Sequence, residues 1–282
     1  MATRLGCWLN GEPCQYIAVG DRGLSYGDGI FETIKVVNQQ PSLWHLHKAR
    51  LVQGLARLKI TCDLVDIERC VFEACQQQST ALGVVKLTVT RGGGGRGYNP
   101  VGSGPASILV ELYPYPDYPQ ANWSTGIRLF PCTTYLAHQP LLAGLKHLNR
   151  LEQVLARQEW QSAEYGEGLV MDSTGHVIEA TMSNIFLVSD NRLITPDLSL
   201  CGVEGTCRAF IIEQAKKRGG TVEVLNVTLA MLFTATEVFV CNSVLGIWPV
   251  RAFQAPSWSE EKHWPVGQMT QYWQQTLIEV LG

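Results

Sequence analysis

One lysine and one glutamate in the second half of the chain have the surroundings that covalent and acid–base chemistry needs. Lys146 stands in a predicted loop, just ahead of an amphipathic segment with Leu148, Leu151 and Leu155 on one face. Glu179 follows after enough chain for a helix and a returning strand. Alone, Lys146 would be a solvated surface cation and Glu179 a strand-end acid. Together, an amine and a carboxylate can serve as a nucleophile and its charge partner.

Two other segments have the composition of an anion-binding site. Gly205-Thr206-Cys207 is a glycine-led turn into a predicted helix, where backbone N–H groups and the helix dipole favour a negative charge. Ser243 ends a predicted strand and can add its hydroxyl, although by itself it would be an ordinary turn residue.

A glycine-rich segment at residues 92–97 satisfies the pattern G-x-G-x-x-G after a predicted strand. The dinucleotide fingerprint also needs a helix that opens at the last glycine, whereas Tyr98-Asn-Pro100 and further Gly and Pro residues oppose one. The pattern therefore predicts a loop between strands. It is either a flexible hairpin or a mobile active-site loop that presents Arg91, Arg96 and Tyr98.

Gly23-Leu-Ser-Tyr-Gly27 matches the G-x-S-x-G nucleophile elbow. That elbow requires a strand, a sharp turn and then a helix, but the residues after Gly27 lead into a β-like run. We interpret the match as a glycine-rich loop. A serine hydrolase that uses Ser25 is retained as a distant alternative.

Composition excludes several classes of protein. The 282 residues suffice for about two domains of roughly 150 residues. A net charge of −3 with 17% charged residues argues against phosphate neutralisation on nucleic acid and against disorder. No apolar run approaches the ~18 residues of a membrane span, and the N-terminus lacks the apolar core of a signal peptide. Nine scattered cysteines without a C-x-x-C pair predict reduced thiols, no metal site and a cytoplasmic chain.

The predicted elements mix helix and strand in both halves, so the fold class is α/β of the α+β type. We predict a smaller N-terminal domain at 1–119 and a larger C-terminal domain at 120–282, because the proline-rich segment 113–120 favours a linker. The first domain is predicted to hold strands at 31–37, 84–90 and 107–112 and helices at 45–59 and 65–77. The second is predicted to hold strands at 127–131, between 168 and 195, and near 222 and 238, and helices at 148–162, 206–218 and 266–281.

Three separated segments together resemble the fold-type IV pyridoxal-phosphate enzymes. They are D-R-x-x-x-Y-G-D-G at 21–29, R-G-x-G-G-R-G-Y at 91–98 and A-G-x-K-H-L-N-R-L-E-Q-V-L at 143–155. The family includes branched-chain and D-amino acid aminotransferases, and the match is closest to its aminodeoxychorismate lyase branch. The resemblance implies two domains with pyridoxal 5'-phosphate at their interface and a homodimer. It also implies a lyase that converts 4-amino-4-deoxychorismate to 4-aminobenzoate and pyruvate in folate biosynthesis.

The resemblance also implies a role for each matched residue. Lys146 would form the Schiff base with the cofactor aldehyde, and Glu179 would keep the pyridine nitrogen protonated. Arg96 would clamp a substrate carboxylate through its planar fork. The remaining roles are phosphate binding by Arg50, Thr206, Cys207 and Ser243, substrate contact by Tyr26, and proton donation to the leaving group by Thr33.

Two alternatives stay open beside the lyase. An aminotransferase on the same fold would share the lysine, the acid and the phosphate site, so fold alone does not separate the two activities. Leu151 stands where branched-chain enzymes place a tyrosine, which weakens the branched-chain option but not the D-amino acid one. A non-catalytic binding module is disfavoured because Lys146 and Glu179 are both present.

Overall fold

The computed structural model describes residues 4–256 and 258–281. They form two compact units. The first extends to Asp117 and includes Leu145–Asn149, and the second contains Tyr118–Gly144 and Arg150–Val280. The excursion at Leu145–Asn149 belongs to the first unit although it lies far beyond residue 120. The division into domains at 1–119 and 120–282 stays a prediction.

The first unit is built on a six-stranded antiparallel sheet with the strand order β2-β1-β6-β5-β3-β4. Its elements are β1 (Gly6–Leu9), β2 (Glu12–Pro13), α1 (Arg22–Tyr26), β3 (Gly29–Val37), β4 (Gln40–Pro41), α2 (Trp44–Leu58), α3 (Leu64–Gln76), β5 (Leu82–Thr90) and β6 (Ser107–Pro114). The strands and helices predicted for the first domain are all confirmed, with ends that shift by one or two residues.

One face of β3 packs against α2 because apolar residues alternate along the strand. Ile30, Ile34 and Val36 are buried with Leu51 and Leu55 of α2 in one core. Full burial of such a side chain contributes about 1.5–3 kcal/mol. Glu32 lies on this buried face as well. A charged side chain therefore occupies a position where the alternation of the strand predicts an apolar one.

The segment Leu145–Asn149 pairs antiparallel with the N-terminal end of β3. The Phe31 amide donates to the Lys146 carbonyl at 2.9 Å, and the Leu148 amide donates to the Gly29 carbonyl at 3.0 Å. That edge of β3 can accept the segment because β4 pairs only with Val36 and Val37. The predicted helix at 148–162 is therefore wrong at its start, since the backbone of Leu148 is engaged in sheet pairing.

The second unit contains a nine-stranded mixed sheet with the order β12-β11-β10-β13-β14-β7-β8-β9, and β15 pairs with β14. Its elements are α4 (Ala121–Ser124), β7 (Ile127–Leu136), α5 (Leu151–Gln158), β8 (Tyr165–Asp172), β9 (Val177–Ala180), β10 (Asn184–Ser189), β11 (Arg192–Pro196), α6 (Thr206–Lys217), β12 (Val222–Leu225), α7 (Leu229–Thr234), β13 (Glu237–Asn242), β14 (Gly246–Phe253), β15 (Lys262–His263) and α8 (Gln268–Leu281). The helix predicted at 148–162 is confined to α5.

The central strands of this sheet are buried along most of their length. Phe186 of β10 and Phe239 of β13 stack with ring centroids 5.1 Å apart, and Trp248 of β14 is buried in the main core of the unit. Such continuous burial explains why these strands read as uninterrupted apolar runs. They form a rigid support for the loops at their ends.

The structure shows that neither the glycine-rich segment at 92–97 nor the G-x-S-x-G match at 23–27 has the surroundings of its motif. Residues 91–106 contain no helix, as expected for a loop between β5 and β6. Ser25 lies inside α1, which follows a turn and a single-residue bridge at Asp21 rather than a strand, so the serine hydrolase interpretation lacks its elbow.

All nine cysteines are free. Among the described residues, no helix has the length and apolar content needed to cross a membrane.

Candidate active site

Lys146 is held at the edge of β3 by its own backbone. Its carbonyl accepts the Phe31 amide, and His147 pairs with Ile30. The Lys146 Nζ lies 4.4 Å from the centroid of the Phe31 ring, a distance at which a ring face attracts an ammonium group. The lysine is thus partly buried and fixed to a strand, which differs from the solvated cation that it would be in isolation.

Glu32, His47 and Arg50 form a buried polar cluster in the same unit. Arg50 Nε donates to Glu32 Oε1 at 2.8 Å and Arg50 Nη2 donates to Glu32 Oε2. His47 Nδ1 lies 2.6 Å from Glu32 Oε2. Burial alone would raise the pKa of Glu32, but the charge and hydrogen bonds of Arg50, with the hydrogen bond of His47, lower it to about 2. Burial lowers the pKa of His47 although Glu32 opposes that shift.

The sequence interpretation assigned Arg50 to a phosphate and missed Glu32 and His47. Two signals were available: an acid on the inward face of a strand, and a histidine and an arginine three residues apart on the buried face of α2. The role of Arg50 toward phosphate stays a prediction. What the structure adds is that Glu32 fixes the orientation of its guanidinium.

The glycine-rich loop is attached to α1 through Arg22. Arg22 donates from Nη1 to the Gly97 carbonyl at 2.9 Å and from Nη2 to the Tyr98 carbonyl at 3.1 Å. The Gly97 amide donates to the Tyr26 hydroxyl at 3.0 Å. These bonds fix the residues that follow Arg96, whose own side chain is exposed. The structure therefore brings Tyr26 next to the glycine-rich loop that contains Arg96.

Thr33 is partly buried on β3, in register with Lys86 of β5. It lies on the same face of β3 as Phe31, because alternate residues of a strand point the same way. Its proposed role as a proton donor stays a prediction.

In the second unit, Glu179 lies on β9 with its carboxylate anchored from two sides. The Val203 amide donates to Oε2 at 2.9 Å, and Gln153 Nε2 donates to Oε1 at 3.4 Å. Glu179 is 5% exposed. Gly202 has φ +84°, and a Cβ there would come within 3.3 Å of Glu179 Oε2, so this position requires glycine.

The N-terminus of α6 is shaped by Asn184. The Gly205 amide donates to Asn184 Oδ1 at 3.0 Å, and Asn184 Nδ2 donates to the Val203 carbonyl at 2.8 Å. A Cβ on Gly205 would collide with Asn184 Oδ1, at 2.0 Å. Sequence reasoning missed Asn184, although a polar residue at the start of a buried strand was a usable signal. The result is a fixed turn that leads directly into the helix.

Thr206 and Cys207 form the first helical positions after this turn. The Cys207 side chain is fully buried, so only its backbone amide could meet a ligand. Ser243 lies in the turn after β13, two residues beyond Cys241, which pairs opposite Asn184. The register thus brings the Ser243 turn to the same end of the sheet as Asn184.

These residues fit pyridoxal phosphate. The first turn of α6 contains no acidic residue, and its N-cap is a glycine without a capping side chain, as a phosphate site at a helix N-terminus requires. Glu179 is a buried carboxylate that can favour a protonated ring nitrogen. Lys146 offers a primary amine on a fixed backbone. Each requirement of the cofactor therefore has a group of the right chemistry.

Comparison with known proteins agrees with this chemistry. Residues 29–253 match the family described as amino-transferase class IV. The chain is 38% identical to the aminodeoxychorismate lyase of Vibrio harveyi over 264 residues, covering 93% of this chain and 96% of that protein. It is 46% identical to the crystal structure of 4-amino-4-deoxychorismate lyase from Pseudomonas aeruginosa, with a TM-score of 0.91 and coverage of 97% and 98%. The branched-chain aminotransferase of Escherichia coli shares the fold at 22% identity, with a TM-score of 0.83 and coverage of 99% and 95%.

Proposed function

The chain belongs to the amino-transferase class IV family, whose enzymes use pyridoxal phosphate, and on that premise we propose that it is an aminodeoxychorismate lyase. One observation carries the proposal: its identity to two lyases is 38% and 46% across nearly the whole chain. Aminotransferases share less: the Escherichia coli branched-chain enzyme is 22% identical, and a putative branched-chain enzyme of Methanocaldococcus jannaschii is 32% identical over 86% of this chain. The reaction would convert 4-amino-4-deoxychorismate to 4-aminobenzoate and pyruvate, which is a step of folate biosynthesis.

In this proposal each group of the cofactor has a residue of suitable chemistry. Lys146 would supply the amine for the cofactor aldehyde, and Glu179 would supply the negative charge for the pyridine nitrogen. Pyridoxal phosphate, when bound, withdraws electrons from the carbon that carries the substrate amine. The phosphate ligands would be Arg50, the backbone amides of Thr206 and Cys207, and the hydroxyls of Thr206 and Ser243.

Lys146 would also move the proton. Its amine, freed once the substrate amine has taken its place, would remove the hydrogen from the ring carbon that carries the amino group, and the C–O bond to the enolpyruvyl group would break. The leaving group would gain one proton, which we assign to the Thr33 hydroxyl, and be released as pyruvate. Thr33 would then recover the proton that Lys146 had taken. The ring becomes aromatic and the amine stays on it, so the atoms balance without any amino acceptor.

Substrate recognition would rest on the loop after β5. The substrate has two carboxylates, and the exposed guanidinium of Arg96 can hold one of them through two parallel hydrogen bonds. Tyr26, which accepts the Gly97 amide, would line the same substrate site. The hydrogen bonds of Arg22 to Gly97 and Tyr98 limit the motion of the loop and so reduce the entropy lost on binding.

The test supplies 4-amino-4-deoxychorismate without a keto acid and measures both products over many turnovers. Equimolar 4-aminobenzoate and pyruvate, with the cofactor absorbance restored after each turnover, is the expected result. No product, together with efficient conversion of D-alanine and 2-oxoglutarate, would assign the protein to the transaminases instead.

A second copy of this chain is the proposed partner, in a homodimer. Helix α5 exposes Leu151, Val154 and Leu155, and buries only Ala156. A helix with an exposed apolar face favours association. We expect a dimer by light scattering, and Leu155→Glu should shift it toward monomer while Arg157→Glu on the same helix should not. A wild-type monomer at micromolar concentration would refute this.

The cytoplasm is the proposed compartment. Nine free cysteines, six of them buried, are typical of a protein that stays in a reducing environment. Fractionation of cells with antibody detection tests this, and recovery outside the cytoplasmic fraction would contradict it.

A further inference from the structure

Three side chains that can bind a metal meet in the second unit, outside the residues assigned above. They are His138, Asp172 and Cys201, whose ligand atoms all lie within 4.8 Å of one another. His138 Nε2 is 2.9 Å from Asp172 Oδ2. Asp172 and Cys201 are buried, at 3% and 5% exposure, whereas His138 is partly exposed. The thiol, the imidazole and the carboxylate are therefore close enough for one ion to contact all three.

The backbone fixes the three residues from three different elements. His138 follows the end of β7, and Asp172 ends β8, where Leu136 and Asp172 are partners in the parallel ladder. Cys201 lies in the loop before α6, and the Gln139 amide donates to the Leu200 carbonyl at 2.8 Å. Gln139 follows His138 and Leu200 precedes Cys201, so this hydrogen bond holds the two segments together. The cluster is therefore positioned by main-chain bonds rather than by flexible side chains alone.

The two oxygens of the Asp172 carboxylate have different hydrogen-bond partners. Oδ1 accepts the amides of Thr174 and His176, both at 2.9 Å, and the Thr174 hydroxyl at 2.8 Å. Oδ2 is directed at His138. A ligating carboxylate in a metal site is commonly held by hydrogen bonds of this kind. The turn from Asp172 to His176 thus presents one oxygen in a fixed direction.

We propose that His138, Asp172 and Cys201 form a zinc site. Imidazole, carboxylate and thiolate are all ligands of Zn²⁺, with bonds of about 2.0–2.3 Å in tetrahedral geometry, which puts pairs of ligand atoms roughly 3.3–3.6 Å apart. The observed spacing is close enough for side-chain adjustment to reach that geometry.

The charges and protons balance. Cys201 releases its proton to solvent on binding, and His138 binds as the neutral imidazole with its remaining proton on Nδ1. One carboxylate and one thiolate then neutralise the two positive charges of zinc, so the buried site has no net charge. A water molecule, reached from the exposed side of His138, completes the four ligands.

The experiment titrates zinc into chelator-treated holoenzyme by calorimetry and examines the complex by X-ray absorption. We expect one zinc per chain at this site, with one sulfur neighbour at about 2.3 Å. Cys201→Ser should remove the sulfur signal and weaken binding at least 100-fold, and His138→Ala should weaken it at least tenfold. Cys132→Ser, a change of a buried cysteine in the same apolar cluster, should leave both unchanged.

His138→Ala should still fold, because His138 is partly exposed and Asp172 keeps its hydrogen bonds from Thr174 and His176; circular dichroism checks this. Absence of saturable zinc binding in the wild type would overturn the proposal. So would zinc binding that keeps its strength in His138→Ala, or a sulfur neighbour that persists in a folded Cys201→Ser. The cofactor can itself bind zinc, and a second, weaker event that all variants share is therefore assigned to it.

Discussion

Glu32 and Arg50 form a doubly hydrogen-bonded ion pair between β3 and α2, inside the core of the first unit. Their relative exposures are 1% and 8%, and Arg50 Nε donates to Glu32 Oε1 at 2.8 Å. Two charges that have lost their water depend on each other, because removal of one leaves the other buried and unpaired. Breaking the pair from one side therefore lowers fold stability, and the intact pair fixes the arginine proposed for phosphate binding.

Replacement of Glu32 by glutamine should destabilise the protein by about 3–5 kcal/mol, the usual cost of breaking a buried pair from one side. Urea unfolding followed by circular dichroism measures the free energy of unfolding. Glu73→Gln, which removes an exposed partner of Arg69 in α3, is the control and should cost under about 1 kcal/mol. Equal effects of the two changes would mean that solvent screens the Glu32 pair.

Glu167 should make stability depend on pH in the opposite direction to an ordinary acid. Burial raises its pKa to about 7, although hydrogen bonds from Thr181 and nearby amides lower it in part. The folded protein then keeps a proton that the unfolded chain has lost, so stability falls as pH rises from 4.5 to about 7. Urea midpoints across this window should decline for the wild type, and less steeply for Glu167→Gln. Parallel profiles would refute the assignment.

Lys146→Ala should abolish turnover and the borohydride-reducible cofactor adduct while the fold stays intact. In the wild type, borohydride should attach the cofactor to the peptide that contains Lys146, as peptide mass spectrometry would detect. Lys86→Ala is the matched control, because Lys86 pairs with Glu111 at the surface, and it should retain both activity and adduct. A reduced adduct on Lys86 would rule the assignment out.

Glu179→Gln should retain bound cofactor but lose at least about 100-fold in rate. Loss of a buried charge partner costs about 3–5 kcal/mol, and each 1.36 kcal/mol is tenfold in rate. Steady-state assays and cofactor absorbance separate the two effects. Glu213→Gln, on the exposed face of α6, should behave as the parent. A loss within a few-fold would mean that Glu179 is not the partner of the pyridine nitrogen.

Arg96→Ala should raise KM and lower kcat/KM by about 10- to 150-fold, since a charge-assisted hydrogen bond contributes about 1.5–3 kcal/mol. The cofactor spectrum should stay nearly unchanged because Arg96 addresses the substrate. Arg69→Ala, an exposed arginine of α3, controls for loss of a positive charge. Loss of cofactor in Arg96→Ala would assign this arginine to the phosphate instead.

The sequence by itself determined the elements whose residues repeat locally and the family to which the chain belongs. The period of Leu51, Leu55 and Leu58 predicted α2, and the apolar run at 31–37 predicted β3, because neighbouring residues on one face share one environment. The motif around Lys146 predicted that lysine as the group for the cofactor aldehyde, and this role stays a prediction. All of these signals lie within short stretches of chain.

Only the tertiary structure decided which distant residues meet. The backbone of Lys146 is fixed by hydrogen bonds to β3, more than a hundred positions earlier. The periodicity of hydrophobic residues within a short segment does not predict pairing between segments so far apart in sequence. Likewise the amide of Val203 reaches Glu179, and Asn184 shapes the turn at Gly205. Side-chain hydrogen bonds between remote segments depend on how strands register and how buried polar groups must be satisfied. These are properties of the assembled fold, so the sequence could propose Lys146 and Glu179 as the amine and the acid, and only the packing showed what holds each side chain in place.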